Sequence, residues 1–188
     1  MAKDNEAVVN AGAGYKLLSV SRILIGWIFL WAFLDKLFGL GFTTCRDKET
    51  FDVEVMCEKA WLQGGAITKG YLGSSSGPFA DFFIKLGDFR VTDWFFMIGL
   101  LGIGLALILG IGTKIAAWCG AAMLALMYAS HAWPFSGDLG LTNPFIDEHV
   151  IYAVAGLGIV FVELKHQAIG LGNWWRSLPL VKQLPWLA

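Results

Sequence analysis

The sequence predicts an all-α integral membrane protein: a four-transmembrane-helix bundle with a long first loop containing short interfacial helices. Three observations lead there. The first is a set of apolar runs long enough to cross a bilayer, which takes roughly 20 residues. The second is composition. Hydrophobic residues make up 56% of the 188 positions and Lys, Arg, Asp and Glu only 15%, too apolar a mixture for one soluble domain. The third is charge: a formal net charge of −1 carries no basic excess that would draw a nucleic acid.

The elements follow in order within a single membrane domain, residues 1–188. The first span is "YKLLSVSRILIGWIFLWAFLDKLFGL", about residues 15–40. No cleavable signal peptide is expected, because the first dozen or so residues are polar or small and the apolar run is too long for a signal core. The second span, "DWFFMIGLLGIGLALILGIG", covers about residues 93–112, and the third, "KIAAWCGAAMLALMYASHAW", about residues 114–133. Only "GIGT" joins them, so they form an antiparallel hairpin. The fourth runs from about residue 145 to 163. Gly102, Ala106 and Gly110, at four-residue spacing, are expected to let the second helix approach a neighbour closely.

Between the first two spans lies an extramembrane loop, residues 41–92. It opens polar, passes through "SSSGP" and ends in "PFADFFIKLGDFR", where Phe79, Phe82, Phe83 and Leu86 recur at helical spacing. That segment is too short to cross and reads as an interfacial helix. The tail, residues 164–188, places Trp174, Trp175 and Trp186 beside Arg176 and Lys182, a mixture suited to the headgroup zone.

The third-to-fourth connection carries no Lys or Arg, whereas the termini and the second turn carry Lys3, Lys16, Lys114, Lys165, Arg176 and Lys182. This bias favours cytoplasmic termini in an inner (plasma) membrane. Against it, the long loop holds Arg46, Lys48, Lys59, Lys69, Lys85 and Arg90, outnumbered there by seven acids, and the two loop cysteines break the tie. Cys45 and Cys57 would then lie outside, where they could close a disulfide. The alternative is two free or metal-binding thiols.

Parity alone brings ionisable residues of four helices to the loop-side end of the bundle. Asp35 and Lys36 end the first span, Asp93 and Trp94 begin the second, Tyr128, His131 and Trp133 end the third, and Asp147, Glu148, His149 and Tyr152 begin the fourth. The other end offers Arg22, Lys114 and Glu163. Asp93 and Asp147 also suit helix caps. Arg22, about four turns before Lys36 on nearly the same face, either turns inward or snorkels to the interface. Glu148 and Tyr152 share a face, as do Tyr128 and His131. Phenols, an imidazole and a carboxylate around an apolar cleft suit a quinone head group, whose carbonyls take hydrogen bonds and whose redox change moves protons. The assignment is Glu148, His149 and His131 for proton chemistry, with Arg22, Asp35, Lys36, Trp94, Tyr128 and Tyr152 binding the quinone. A metal held by His131, His149 and Glu148 is the competing idea, disfavoured because no diagnostic ligand spacing is present. No haem, flavin or iron–sulfur signature is evident either.

The chain also resembles the DoxX/DoxD family of four-helix membrane proteins, and within it the DoxD-like small subunits of thiosulfate:quinone oxidoreductases. The matching stretches are "WAFLDKLFG", "AWLQGGAITKGYL", "GPFADFF", the hairpin from Asp93 to Tyr128, and "NPFIDEHVIYA". Asp35, Lys36, Trp61, Gly64, Gly65, Asp93, Asp147, Glu148 and His149 fall within them. The insert "TTCRDKETFDVEVMC" departs from the family pattern. The resemblance implies thiosulfate oxidation to tetrathionate with a menaquinone or ubiquinone as acceptor. Lys36, Lys69 and Arg90 are then the cations for the dianion. A partner membrane subunit or further copies of the chain would complete the assembly. The alternatives are a non-catalytic accessory or assembly subunit of a larger respiratory complex, and a small-solute carrier.

Overall fold

The computed structural model describes residues 2–131, 143 and 145–187, with side chains from Gly12 onward. It is all-helical, and among the described residues the only β pairing is an isolated bridge between Arg46 and Val53. The expected Trp133 contribution lies outside the described residues.

Helix α1 spans Ala2–Phe38, starting well before the predicted residue 15. The polar opening contains no proline to stop a helix, so the backbone pattern propagates back through it. Its membrane-compatible part is Gly12–Phe38. Helix α4, Arg90–Leu109, is the second segment long and apolar enough to cross a membrane. It sits about three residues N-terminal to its predicted bounds because Gly110, at φ 76°, turns the chain left-handed and caps it. Helix α5 spans Thr113–His131 and α6 spans Glu148–Glu163. Alanine, glycine and serine dilute the apolar character of α5. The 16 residues of α6 measure about 24 Å, short of a bilayer core of about 30 Å. Two of the four expected spans therefore satisfy length and composition as isolated helices.

These four helices close a ring, α1 against α4 and α6, and α5 against α4 and α6. Ile25, Phe29, Met97, Leu100, Ile103, Leu107, Leu124 and Val160 fill its centre. The outer faces are apolar as well: Leu24, Trp27, Phe95, Ile98, Trp118, Leu126, Ile151 and Val154 are all exposed. Helices apolar all round are the kind that meet hydrocarbon rather than water.

Helices α1 and α4 approach closely at Gly26 and Gly104, neither of which belongs to the expected row of Gly102, Ala106 and Gly110. Around Gly102 there is open space, whereas Gly26 and Gly104 face each other. A Cβ on Gly104 would lie 2.8 Å from the Leu30 nitrogen, and one on Gly26 would lie 2.9 Å from the Leu107 Cβ. Two positions along a helix turn the face by about 200°, so Gly102 looks outward when Gly104 looks in.

The loop supplies a 3₁₀ turn at Trp61–Gln63 and two short helices, α2 (Ile67–Leu72) and α3 (Ala80–Gly87), packed on each other and on the start of α4. Phe83 is buried while Phe79 and Phe82 remain exposed, the amphipathic habit read from their spacing. Cys45 and Cys57 are joined as a disulfide, with Cα atoms 5.7 Å apart. The tail folds into α7 (Gly172–Ser177), α8 (Pro179–Gln183) and a final 3₁₀ turn. It is tied down where Leu171 N–H donates to the Leu109 carbonyl and where Trp175 Nε1 donates to Leu187 O at 2.7 Å.

Candidate functional site

At the loop end of the ring the helices do not close. A partly open cleft of about 1490 Å³ lies between α1, the disulfide loop, α2 and the start of α6. Its floor is apolar, made by Phe29, Phe96, Leu100 and Leu124, and its rim carries Lys36, Tyr71, Glu148, His149 and Tyr152. Four residues named from sequence thus reach one cavity. Lys36 arrives from the last turn of α1, with its Nζ donating to Thr43 Oγ1 at 3.2 Å. Glu148, His149 and Tyr152 arrive from the first turns of α6.

Asp147 sets that part of the site. It is the N-cap of α6, its Oδ1 accepting from Val150 N–H at 3.2 Å, and it is buried. Its other oxygen lies 2.6 Å from His149 Nδ1. A carboxylate only accepts, so Nδ1 carries the proton of this hydrogen bond. One side chain caps the helix and orients the imidazole. Capping and site formation are therefore not rivals at this position.

Tyr71, which the sequence reading passed over, stands beside this group. Its ring lies on that of His131, centroids 4.3 Å apart, and it lines the cleft. Burial pushes the phenol up from its ordinary pKa; a hydrogen bond with the Ser130 hydroxyl opposes this, and the Asp147 and Glu148 carboxylates reinforce it. His131 does not itself line the cleft. It is held from both sides, Nδ1 2.8 Å from Ser130 Oγ and Nε2 3.3 Å from Ser74 Oγ. The sequence signal for Tyr71 was its place in "AITKGYL", but its depth depends on how α2 folds back over α4.

Other candidates go elsewhere. Asp35 is fully buried and accepts from Phe42 N–H at 2.8 Å, from Thr43 N–H and Oγ1 at 3.0 and 2.8 Å, and from Thr44 N–H at 3.2 Å. Four donors saturate this carboxylate, so it anchors the loop rather than meeting a ligand. Asp93 does not cap α4, whose N-cap is Phe89. It accepts from Thr68 N–H and Oγ1, each at 2.7 Å, and pairs with Arg90 at 3.3 Å, fastening α2 to α4. Trp94 is exposed and meets Trp61 edge-to-face at 4.8 Å, away from the cleft. Tyr128 donates to the Phe145 carbonyl at 3.1 Å. Among the anion candidates, Lys69 pairs with Asp88 at 3.0 Å, and Arg90 spans Asp93 and the carbonyls of Gly64 and Gly65.

Arg22 lies at the opposite end and is correspondingly no part of the cleft. It is 1% exposed, so it turns inward rather than snorkelling. Nε donates to Glu163 Oε2 at 2.5 Å, and the two terminal nitrogens donate to the carbonyls of Leu107, Ile108 and Ile169. Ser19 donates to the other Glu163 oxygen. The guanidinium thus closes the C-terminal end of α4, where carbonyls lack helical partners and the helix dipole is negative. Parity had placed Arg22 and Glu163 at one depth; their pairing needed the ring to close.

The metal alternative changes shape. The group whose ligand atoms lie within 4.8 Å of one another, among the described residues, is Asp147, Glu148 and His149, without His131. The Asp147–His149 hydrogen bond already uses one atom of each. No protein-family model matches the sequence, and no curated protein or solved structure does so either.

Proposed function

We propose that the chain is a four-span inner-membrane redox subunit that binds a membrane quinone in the loop-end cleft. The observation that carries this reading is the convergence of Lys36, Glu148, His149 and Tyr152 on a cavity with an apolar floor. A quinone ring needs a flat apolar bed, donors for two carbonyls and groups that deliver protons. Lys36 and Tyr152 are donors, His149 Nε2 and Glu148 are the proton carriers, and the apolar residues are the bed for the ring. All-round apolar helices support the membrane setting, and α5 and α6 complete the four spans by packing on the longer pair.

The resemblance to DoxX/DoxD proteins suggests thiosulfate as the donor. Two thiosulfate dianions then join through a new S–S bond to give one tetrathionate dianion and two electrons, and the quinone takes both electrons with two protons. Lys36 is the cation that this reading assigns to the anion or to the reduced head group, since Lys69 and Arg90 are engaged elsewhere.

The test is solvent extraction of detergent-purified protein for bound quinone, with a native gel for partners and thiosulfate-dependent quinone reduction as activity. Co-purifying quinone, together with at least about a tenfold loss of turnover in Glu148→Gln at unchanged melting temperature, is the expected result. Large partner proteins without quinone would replace this reading with that of an accessory subunit, and wild-type turnover and quinone affinity in both Glu148→Gln and Tyr152→Phe would overturn the assignment of the cleft.

A further inference from the structure

A second cavity lies on the other side of the cleft wall. It is a groove of about 390 Å³ under α3 and between α4 and α5, lined by Phe83, Phe96, Ile103, Met123 and Met127 among others. That volume is in the range of cavities that hold small ligands. Its polar neighbours are already committed. Thr68 gives both its N–H and its hydroxyl to Asp93, and Ser130 bonds the Met127 carbonyl and His131. Thr92 gives its hydroxyl to the Leu86 carbonyl, so apart from the Tyr71 phenol at the wall and the weakly polar Cys119 thiol what remains is a hydrocarbon surface. Ligand sites normally add a few polar contacts to an apolar lining, and here those contacts lie across the wall.

Three side chains form that wall: Tyr71, Phe96 and Met127 line both cavities. From Thr92 to Ile103 the groove follows α4 for about 16 Å, room for a chain laid along the helices. The two methionines are unbranched and adapt to a chain of irregular outline.

We propose that this groove is the subsite for the hydrocarbon tail of the amphiphile whose head group occupies the cleft, with Tyr71, Phe96 and Met127 as the sill over which the tail crosses. The assignment rests on reading the cleft as a head-group site. It adds where the chain of that ligand lies and which residues of α4 and α5 receive it.

Cys119 lines the groove and is a free thiol, so it reports on occupancy. Full-length protein in detergent is titrated with a benzoquinone head group alone, with the same head carrying a decyl chain, and with decanol. Binding is read by tryptophan quenching, and groove occupancy by the rate of Cys119 alkylation with a lipophilic maleimide. The expected result has three parts. The head alone binds without protecting Cys119, the decyl homologue binds at least about tenfold more tightly and slows alkylation about tenfold, and decanol at the same concentration does neither. Ala122→Phe, which fills the groove from α5, removes the gain from the chain while leaving head-group affinity unchanged; Gly99→Leu, which fills it from α4, does the same and serves if the first variant fails to fold. If the head group alone does not bind, the cleft reading falls. If head and homologue bind equally and alkylation is unaltered, or if decanol protects as well as the homologue, the cleft stands and the groove assignment falls.

Discussion

Arg22 offers the sharpest test of the architecture, because its side chain holds three segments at once. It donates to Glu163 on α6, to Leu107 and Ile108 at the end of α4, and to Ile169 in the tail. Arg22→Ala leaves Glu163 buried with only the Ser19 hydroxyl and frees the three carbonyls. Removing one partner of a buried pair costs about 3–5 kcal/mol. In a chain of this size each kcal/mol lowers the melting temperature by about 2–4 °C, so a drop of about 6–20 °C is expected. Arg22→Lys keeps the charge, but an ammonium cannot reach all four acceptors. Its cost is about 1–2 kcal/mol from hydrogen bonds not remade. The double variant Arg22→Met/Glu163→Met removes both charges and should recover most of the loss, since a buried pair exchanged for apolar side chains is often neutral. The assay is thermal unfolding in mild detergent followed by size-exclusion chromatography, with wild type, Arg22→Met, Glu163→Met and the double variant forming a double-mutant cycle. If Arg22→Ala and Arg22→Lys both melt within about 2 °C of wild type, the guanidinium is not the clamp described here.

Other outcomes follow from single contacts. Asp35→Ala should cost about 2–3 kcal/mol by stranding the N–H groups of residues 42–44, seen as faster amide exchange there, while α4 and α5 keep their protection. Gly110→Ala should cost about 2 kcal/mol, because residue 110 has φ 76° and a Cβ there runs into Gln167 Nε2; unchanged stability would mean that the cap is built differently. Tyr71 carries a pH signature. A phenol whose pKa is raised by folding contributes stability that is complete below the free-tyrosine value of about 10 and is lost as pH rises through the folded value. Tyr71→Phe should therefore flatten the alkaline limb of the stability curve, and an identical limb in both proteins would contradict the burial of that phenol. Intact mass after alkylation without reductant should show Cys119 modified and Cys45 and Cys57 protected, and all three cysteines modified after reduction and unfolding.

Features that follow from local rules were legible before any packing was known. Hydropathy marked where the long helices lie, Gly-rich and polar stretches marked where they end, and a loop with two cysteines stood out between them. Strict alternation of direction put Lys36, Glu148, His149 and Tyr152 at one end, and no packing detail is needed for that. Lateral relations depend instead on which faces meet, and one or two residues of helical phase decide that. Gly104 rather than Gly102 touches α1 for this reason. The same uncertainty hid the partners of buried charge. Arg22 had Glu163 at its own depth, but only a ring in which α1 touches both α4 and α6 brings their atoms to 2.5 Å. Asp35 read as a site residue and Asp93 as a helix cap, because a carboxylate looks alike in sequence whether it meets a ligand, a helix start or a loop backbone. The fold of the loop, which no periodicity encodes, turned them into anchors and carried Tyr71 down to the cleft wall. Tertiary structure alone decided which acids hold the scaffold and which face the cavity, because a carboxylate is claimed by whichever donors the closed fold brings within hydrogen-bond reach.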